Sequence, residues 1–358
     1  MLVLAIETSC DDCAVSLMDL NSKALLHHQK ISQENFHNMH GGIVPELASR
    51  LHAKDLPTLL DKTLLDSMSQ VVCIGVTNEP GLATSLLEGL MLASMLSLIY
   101  ELPLFGINHL LGHIYSCFIG EEEKPLSSLL VSGGHTMLIE FKNYSDVRLV
   151  STTLDDSFGE CYDKVSKMLG LSYPGGPVID KLAQSHKSSP SFSFPVPLRH
   201  KNTLDFSFSG LKNAVRLKID ELKKASNLDE THKAELALAF QESATTHLIE
   251  KTKKYLDSKS DVNTFALIGG ASANSLLRKK MLALLGDKEL KLAPLEFCSD
   301  NAAMIARATI GRLEALLQDN TLLGASTLKS ISLKDLKLIL FDLEDGYKLD
   351  ISPKSTCF

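Results

Sequence analysis

Two histidines four residues apart, His109 and His113 in NHLLGHIYS, are the first candidates for chemistry in this 358-residue chain. On a helix that spacing puts both imidazoles on one face, where they can share a metal ion; a pair of surface histidines has the same spacing. Asp300, in FCSDNAAMIA, either caps the helix that follows or adds an oxygen to the two nitrogens, leaving coordination positions open for substrate. Spacing alone does not join residue 300 to residue 109. Two glycine turns suit an anion. In SGGHT, Ser132, Gly133 and Gly134 follow an apolar run, and backbone N–H groups there can approach a phosphate with no Cβ in the way; a tight hairpin uses Gly-Gly as well. In GGASANSLL, an apolar run enters Gly269 and Gly270 and then a helix start, where the dipole and free amides favour phosphate, although Ser272 and Asn274 also suit a cap.

Two further clusters are less specific. His37, His40 and His52 surround the glycine pair Gly41 and Gly42, and read either as surface and loop residues or as a second metal site. Asp155, Asp156, Glu160 and Asp163 make an acidic helix start that the helix dipole alone explains, with Asp163 able to bind a hydroxyl or ammonium group.

The elements that must position these residues follow from the apolar runs. Residues 2–6 and 14–18 flank ETSCDDC as strand, polar turn and strand, and the pattern recurs at 129–141 around SGGHT. Between the hairpins the sequence predicts a helical stretch at 43–66, a strand at 71–77 and a helix at 82–100. After them come helices at 157–169, 209–225 and 231–256, a buried strand at 265–270 and a helix at 272–285. Two hairpin-plus-helix units predict duplicated α/β domains. The Ser-, Pro- and Phe-rich stretch 186–209 reads as a long surface loop.

Composition narrows the class. With 44% hydrophobic and 22% charged residues the chain buries a large core. A net charge of −7 excludes nucleic-acid binding by bulk charge, so RNA would need a local basic face or a partner. The local candidates are Arg199 and Lys201 in the long loop, then Lys212, Arg216 and Lys218 on the next helix. Seven irregularly spaced cysteines do not form a disulfide framework. The N-terminus has no basic n-region, and the apolar stretch 86–102 is broken by Glu88, Gly89 and Glu101, so it reads as a buried helix and the expected location is cytoplasmic.

Taken together, IETSCDD, HGGIVPELASRLH, PGLATSLLEGL, NHLLGHI, LLVSGGHTMLI, ECYDKVSKMLGLSYPGGPVIDKLA, FSFSGLKNAV, GGASANSLLR and FCSDNAAMIA resemble the tRNA threonylcarbamoyladenosine transferases of the bacterial TsaD type. They run in family order over about residues 3–317. The resemblance implies an ASKHA fold (actin, Hsp70 and sugar kinases), with duplicated domains at 1–108 and 109–299, a helix at 300–318 packing back on the first, and a tail at 319–358 of unassigned role. It implies that His109, His113 and Asp300 bind one metal per subunit, Fe2+ in the first instance and Zn2+ as the alternative. It implies that Leu130, Val131, Ser132, Gly133 and Gly134 cradle the phosphate of threonylcarbamoyl-AMP, and that Asp163, Gly176, Asp180 and Asn274 hold its adenosine half. The N6 amine of adenosine 37, in tRNAs reading codons that begin with A, would attack the threonylcarbamoyl carbonyl and AMP would leave. The implied partners are tRNA, a TsaB-type paralogue, a TsaE-type ATPase and a separate synthase for the adenylate.

Other readings fit less well. A zincin peptidase needs a glutamate between its histidines, and here Leu110, Leu111 and Gly112 intervene. An ASKHA-type kinase has no use for the histidine pair, and a non-catalytic scaffold of the modification complex has no need to keep all three ligands. The chain departs from the family at TNEPG (77–81), at DDSFGECYDK and in the tail, which lacks the basic, tryptophan-containing family pattern; the chain has no tryptophan.

Overall fold

The computed structural model describes residues 1–226, 228–259, 261–319, 332–343 and 349–354. Most of the tail expected at 319–358 lies outside the described residues, apart from a helix at Leu333–Leu343 and the stretch 349–354.

Two five-stranded sheets share one plan. In the first, β1 (Leu2–Glu7), β2 (Asp12–Asp19) and β3 (Leu25–Ser32) form an antiparallel meander, and β4 (Val71–Glu79) and β5 (Leu104–Asn108) add in parallel on the free side of β1. In the second, β6 (Leu126–Val131), β7 (Thr136–Asn143) and β8 (Asp146–Thr152) repeat the meander, and β9 (Thr264–Ile268) and β10 (Glu289–Leu292) repeat the parallel pair. The orders are therefore 3-2-1-4-5 and 8-7-6-9-10. This is the duplication that the two hairpins predicted.

The strands read as continuous apolar runs because both faces are covered. Along β1, Leu2, Leu4 and Ile6 face one core, shared with the helices Pro45–Leu59 and Ala83–Tyr100, while Val3 and Ala5 face another. That second core is central. It takes Phe105 and Ile107 from the first sheet, Leu130, Ile139 and Ile268 from the second, and is filled by the helices His109–Tyr115 and Ala302–Asp319. A third core lies on the outer face of the second sheet, under Phe158–Met168, Ser209–Lys224, Glu230–Asp257 and Ser275–Leu285.

Two expected boundaries differ. The stretch 43–66 is two helices, Pro45–Leu59 and Lys62–Ser67, because the Asp61 side chain accepts the Leu64 N–H at 2.9 Å and caps a new start. The helix expected at 272–285 begins as a short 3-10 turn, Gly270–Ala273, and only Asn274 caps the α-helix, accepting from Leu277 N–H at 2.9 Å. The helix Ala83–Tyr100 packs against β4 and Pro45–Leu59 through one face only. Its other face leaves Leu87, Met91, Met95, Leu98 and Ile99 exposed, so the helix read as buried is half covered.

Candidate functional site

The functional side chains cluster at the carboxyl ends of the parallel strands, where α/β folds place ligands. β5 ends at Asn108, whose side chain accepts the Leu110 and Leu111 N–H groups at 2.9 and 3.2 Å and starts a helix on His109. One turn later His113 stacks edge-on to His109, with ring centroids 4.7 Å apart. Asp300 lies two residues before the helix Ala302–Asp319, and its Oδ1 lies 3.4 Å from His109 Nε2 and 3.3 Å from His113 Nε2. One donor atom from each of the three lies within 4.8 Å of the others, so this group can hold a metal ion. Long-range packing thus joins residue 300 to residue 109, which spacing left open.

The donor set fits a cation in another respect. His113 is fully buried, and neither of its ring nitrogens has a partner in hydrogen-bond geometry among the described residues. Burial opposes a charge on His109, but Asp300 and Glu7 outweigh it and raise the imidazole well above its ordinary value. Burial lowers His113. Asp300 stays well below the usual carboxylate range despite its burial, held there chiefly by His109. One cationic ring between two carboxylates leaves a net negative pocket. A divalent ion held there would take the place of the His109 Nε2 proton.

Lys30 on β3 fixes the Asp300 segment, donating to the Asp300 carbonyl at 2.9 Å and to Ser299 Oγ at 3.0 Å while it pairs with Asp12. Asp12, moved first by its burial, rises to about 7 although Lys30 opposes this. Burial raises Asp11 first, then Asp300; Asp11 contributes in turn to Asp163, which burial pushes to about 6. Asp11 thus lies within electrostatic reach of both Asp163 and Asp300.

The SGGHT turn closes β6, and its His135 lies within electrostatic reach of His109, His113 and Asp300. Ser132 Oγ accepts the His135 N–H at 3.0 Å, and Gly133 and Gly134 are exposed. The turn sits on the start of Phe158–Met168, where the Gly159 N–H donates to the Ser132 carbonyl at 3.2 Å and Ser157 Oγ donates to the Gly133 carbonyl at 2.6 Å. Gly269 brings the end of β9 against it. Its φ is +89°, and a Cβ there would lie 2.4 Å from the Val131 carbonyl oxygen, so both the conformation and the approach require glycine. Leu130 and Val131 are fully buried, with side chains in the central and outer cores, and of the five residues only Ser132, Gly133 and Gly134 have exposed surface.

The other four candidates fall in two pairs. Asp163 accepts the Gly175 N–H at 2.7 Å, beside Gly176 at the start of Gly175–Ser185. Asp180 accepts from Ser275 Oγ at 2.8 Å and from Gln241 Nε2 at 3.0 Å, and Asn274 Nδ2 donates to Gln241 Oε1 at 3.0 Å. Buried Gln241, not singled out from sequence, thus links Asp180 to Asn274.

One sequence expectation needs correction. His37 and His52 are neither surface residues nor metal ligands, whereas His40 is exposed. They are joined through buried Gln33 in a chain of fixed polarity. Val44 N–H donates to His37 Nδ1 (3.3 Å), His37 Nε2–H to Gln33 Oε1 (3.2 Å), Gln33 Nε2–H to His52 Nδ1 (3.2 Å), and His52 Nε2–H to the Cys10 carbonyl (2.9 Å). The chain needs both rings neutral. Burial first, with Asp11 opposing in one and the Cys10 carbonyl in the other, holds each below its ordinary value. Because the folded values are depressed, this contribution is complete above the unfolded value of about 6.5 and is lost as pH falls below it. The Val44 amide should therefore lose hydrogen-exchange protection, corrected for intrinsic rate, as acid protonates His37. Constant protection down to pH 4 would contradict the chain. Four of the five cations of the expected basic face sit beside acidic side chains: Lys212 pairs with Asp156 at 2.5 Å, Arg216 with Asp220 at 3.0 Å, Lys218 with Glu221 at 2.8 Å and Arg199 with Glu250 at 2.5 Å.

Duplicated sheets with glycine turns and a ligand cluster at their strand ends define an ASKHA-type protein. Solved structures share the fold: full-length HypF in its phosphate- and nucleotide-bound form (TM-score 0.54, 9% identity, 90% of this chain and 47% of that one); and the activator of 2-hydroxyisocaproyl-CoA dehydratase from Clostridium difficile with bound ADPNP (TM-score 0.52, 13% identity, 93% and 98%). Residues 24–307 match the TsaD family, tRNA N6-adenosine threonylcarbamoyltransferase. The chain is 52% identical over 318 residues to the tRNA N6-adenosine threonylcarbamoyltransferase of Helicobacter acinonychis, spanning 86% of this chain and 92% of that one. It is 50% identical over 322 residues to that of Nitratiruptor sp., spanning 89% and 95%. The chain belongs to this family of tRNA-modifying transferases.

Proposed function

We propose that the donor is threonylcarbamoyl-AMP and that the N6 amine of adenosine 37, in tRNAs reading codons that begin with A, attacks its threonylcarbamoyl carbonyl, releasing AMP. The observation that carries this reading is the convergence of His109, His113 and Asp300 near the SGGHT turn, which puts a cation site close to exposed glycines. A divalent ion on two imidazoles and one carboxylate supplies positive charge that polarises a donor oxygen. Fe2+ is the first candidate, and Zn2+ suits the same donors. The chain's own residues do the rest. The Gly133 N–H receives charge building on the departing phosphate, Gly134 leaves room for it by having no Cβ, and Ser132 Oγ shapes the turn by accepting the Gly134 and His135 N–H groups at 3.3 and 3.0 Å. Leu130 and Val131 support that turn from within β6. Asp163 and Gly176 on one side, and Asp180 and Asn274 on the other, hold the adenosine half.

Partners complete the reading: tRNA, a TsaB-type paralogue, a TsaE-type ATPase and a separate synthase for the adenylate, in the cytoplasm. The exposed stripe Leu87, Met91, Met95, Leu98 and Ile99 supports the paralogue, since one helix face carrying five large apolar side chains favours a helix from a partner. Because the expected basic helix is paired internally, tRNA affinity would rest on the assembled complex.

Gly134→Ala tests the cradle. A Cβ at Gly134 meets nothing within 4 Å, so the melting temperature should stay at the wild-type value. The same methyl group stands where phosphate would approach, and donor affinity should fall by roughly 10- to 100-fold. Unchanged binding of threonylcarbamoyl-AMP would reduce SGGHT to a hairpin turn.

A further inference from the structure

Glu7 ends β1 and is 0% exposed. A carboxylate so placed is stable only when its oxygens are fully used. Oε1 accepts the Ser9 N–H at 2.6 Å, and Oε2 accepts from the Thr77 hydroxyl on β4. The same Oε2 faces His109 Nδ1 at 3.3 Å. On the far side of that ring, Nε2 faces Asp300. The imidazole of His109 is thus spanned by two carboxylates, one at each nitrogen. His113 differs, because its Nδ1 has no hydrogen-bond partner among the described residues and only packing orients it.

We propose that Glu7 is a positioning residue for the cation site. It accepts the Nδ1 proton of His109, which fixes the tautomer whose unprotonated Nε2 faces His113 and Asp300. This rests on the reading that those three residues bind a divalent ion. Ser9 Oγ, 3.1 Å from the same Nδ1, is the competing acceptor. A hydroxyl can donate to Nδ1 as well as accept from it, and so leaves the tautomer undetermined, whereas an ionised carboxylate only accepts. Histidine ligands are oriented in this way through their second nitrogen, and loss of such a partner weakens metal binding.

The test uses the full chain, stripped with a chelator and titrated with Zn2+ against a chromophoric competitor, with the visible spectrum of the Co2+ form as a second readout. The variants are Glu7→Gln, Glu7→Asp and Ser9→Ala, with His113→Ala as the reference for loss of a ligand. Glutamine keeps the shape, but its amide either faces the Nδ1–H with a second donor or breaks the bond to Ser9. Glu7→Gln should raise the Zn2+ dissociation constant by about 10- to 100-fold and alter the Co2+ spectrum. Glu7→Asp, a carboxylate one methylene shorter, should fall between, and Ser9→Ala should stay near wild type. Wild-type Zn2+ affinity in Glu7→Gln, with only a lower melting temperature, would show a purely structural carboxylate and overturn the proposal. Weakening by Ser9→Ala in place of Glu7→Gln would assign the role to Ser9. If His113→Ala also binds like wild type, the failure belongs to the metal reading and not to Glu7 alone.

Discussion

Replacing His113 with alanine should strip the divalent ion and cut threonylcarbamoyl transfer by at least about 100-fold while the chain stays folded. The side chain is one of three candidate ligands, and the two that remain, His109 and Asp300, would still pair with each other. The helix does not depend on it, because Asn108 caps the N-terminus from outside the cluster. No described group relies on its Nδ1. What folding loses is packing volume in a buried place, at a cost of about 2 kcal/mol. Elemental analysis, a thermal melt by circular dichroism and a transfer assay with supplied threonylcarbamoyl-AMP separate the two effects. Full metal content with full activity would remove the cluster from the site.

Gly75→Ala should destabilise the fold by about 1–3 kcal/mol and weaken metal binding with it. An added Cβ would lie 1.9 Å from Thr309 Oγ1 and 3.0 Å from Thr309 Cβ. Neither side can yield easily. β4 is held between β1 and β5, and the Thr309 hydroxyl donates to the Ile305 carbonyl at 2.7 Å inside the core. The helix must therefore lift, and since it starts two residues after Asp300, that carboxylate moves away from the histidines. Thr309→Ala in the same background removes the nearest atom and should restore part of both stability and affinity. A Gly75→Ala protein with the wild-type denaturation midpoint would show that the contact has slack.

How much of this was legible depended on burial. The central strands β1, β2, β4, β6, β7 and β9 showed as apolar runs because sheets cover both their faces. The four strands not foreseen, β3, β5, β8 and β10, are the four sheet edges. β3 (LLHHQKIS) and β8 (DVRLVST) are half exposed and carry the charges that edges tolerate, so no apolar pattern marks them. β5 is fully buried but only five residues long, between two helices. Among site residues, the histidine pair and the glycine turns stand in short motifs and could be read locally. Glu7, Gln33 and Gln241 could not, because each acts through at least one partner 19 or more residues away. A charge closing a buried strand was the one visible sign of Glu7. The paired state of Lys212 was likewise hidden, since Asp156 lies 56 residues earlier.

The position of the helix Ala302–Asp319 also bears on how the chain matures at the ribosome. Val3, Ala5, Ala14, Val72, Phe105 and Ile107 emerge early, yet their cover, Ala302, Met304, Ile305, Ala306, Ala308 and Ile310, emerges some two hundred residues later. Until then a nascent chain carries an open apolar face and a histidine pair without its carboxylate, a state suited to chaperone capture and unable to hold metal tightly. A chain that stops short of residue 300 therefore lacks one of the three candidate ligands.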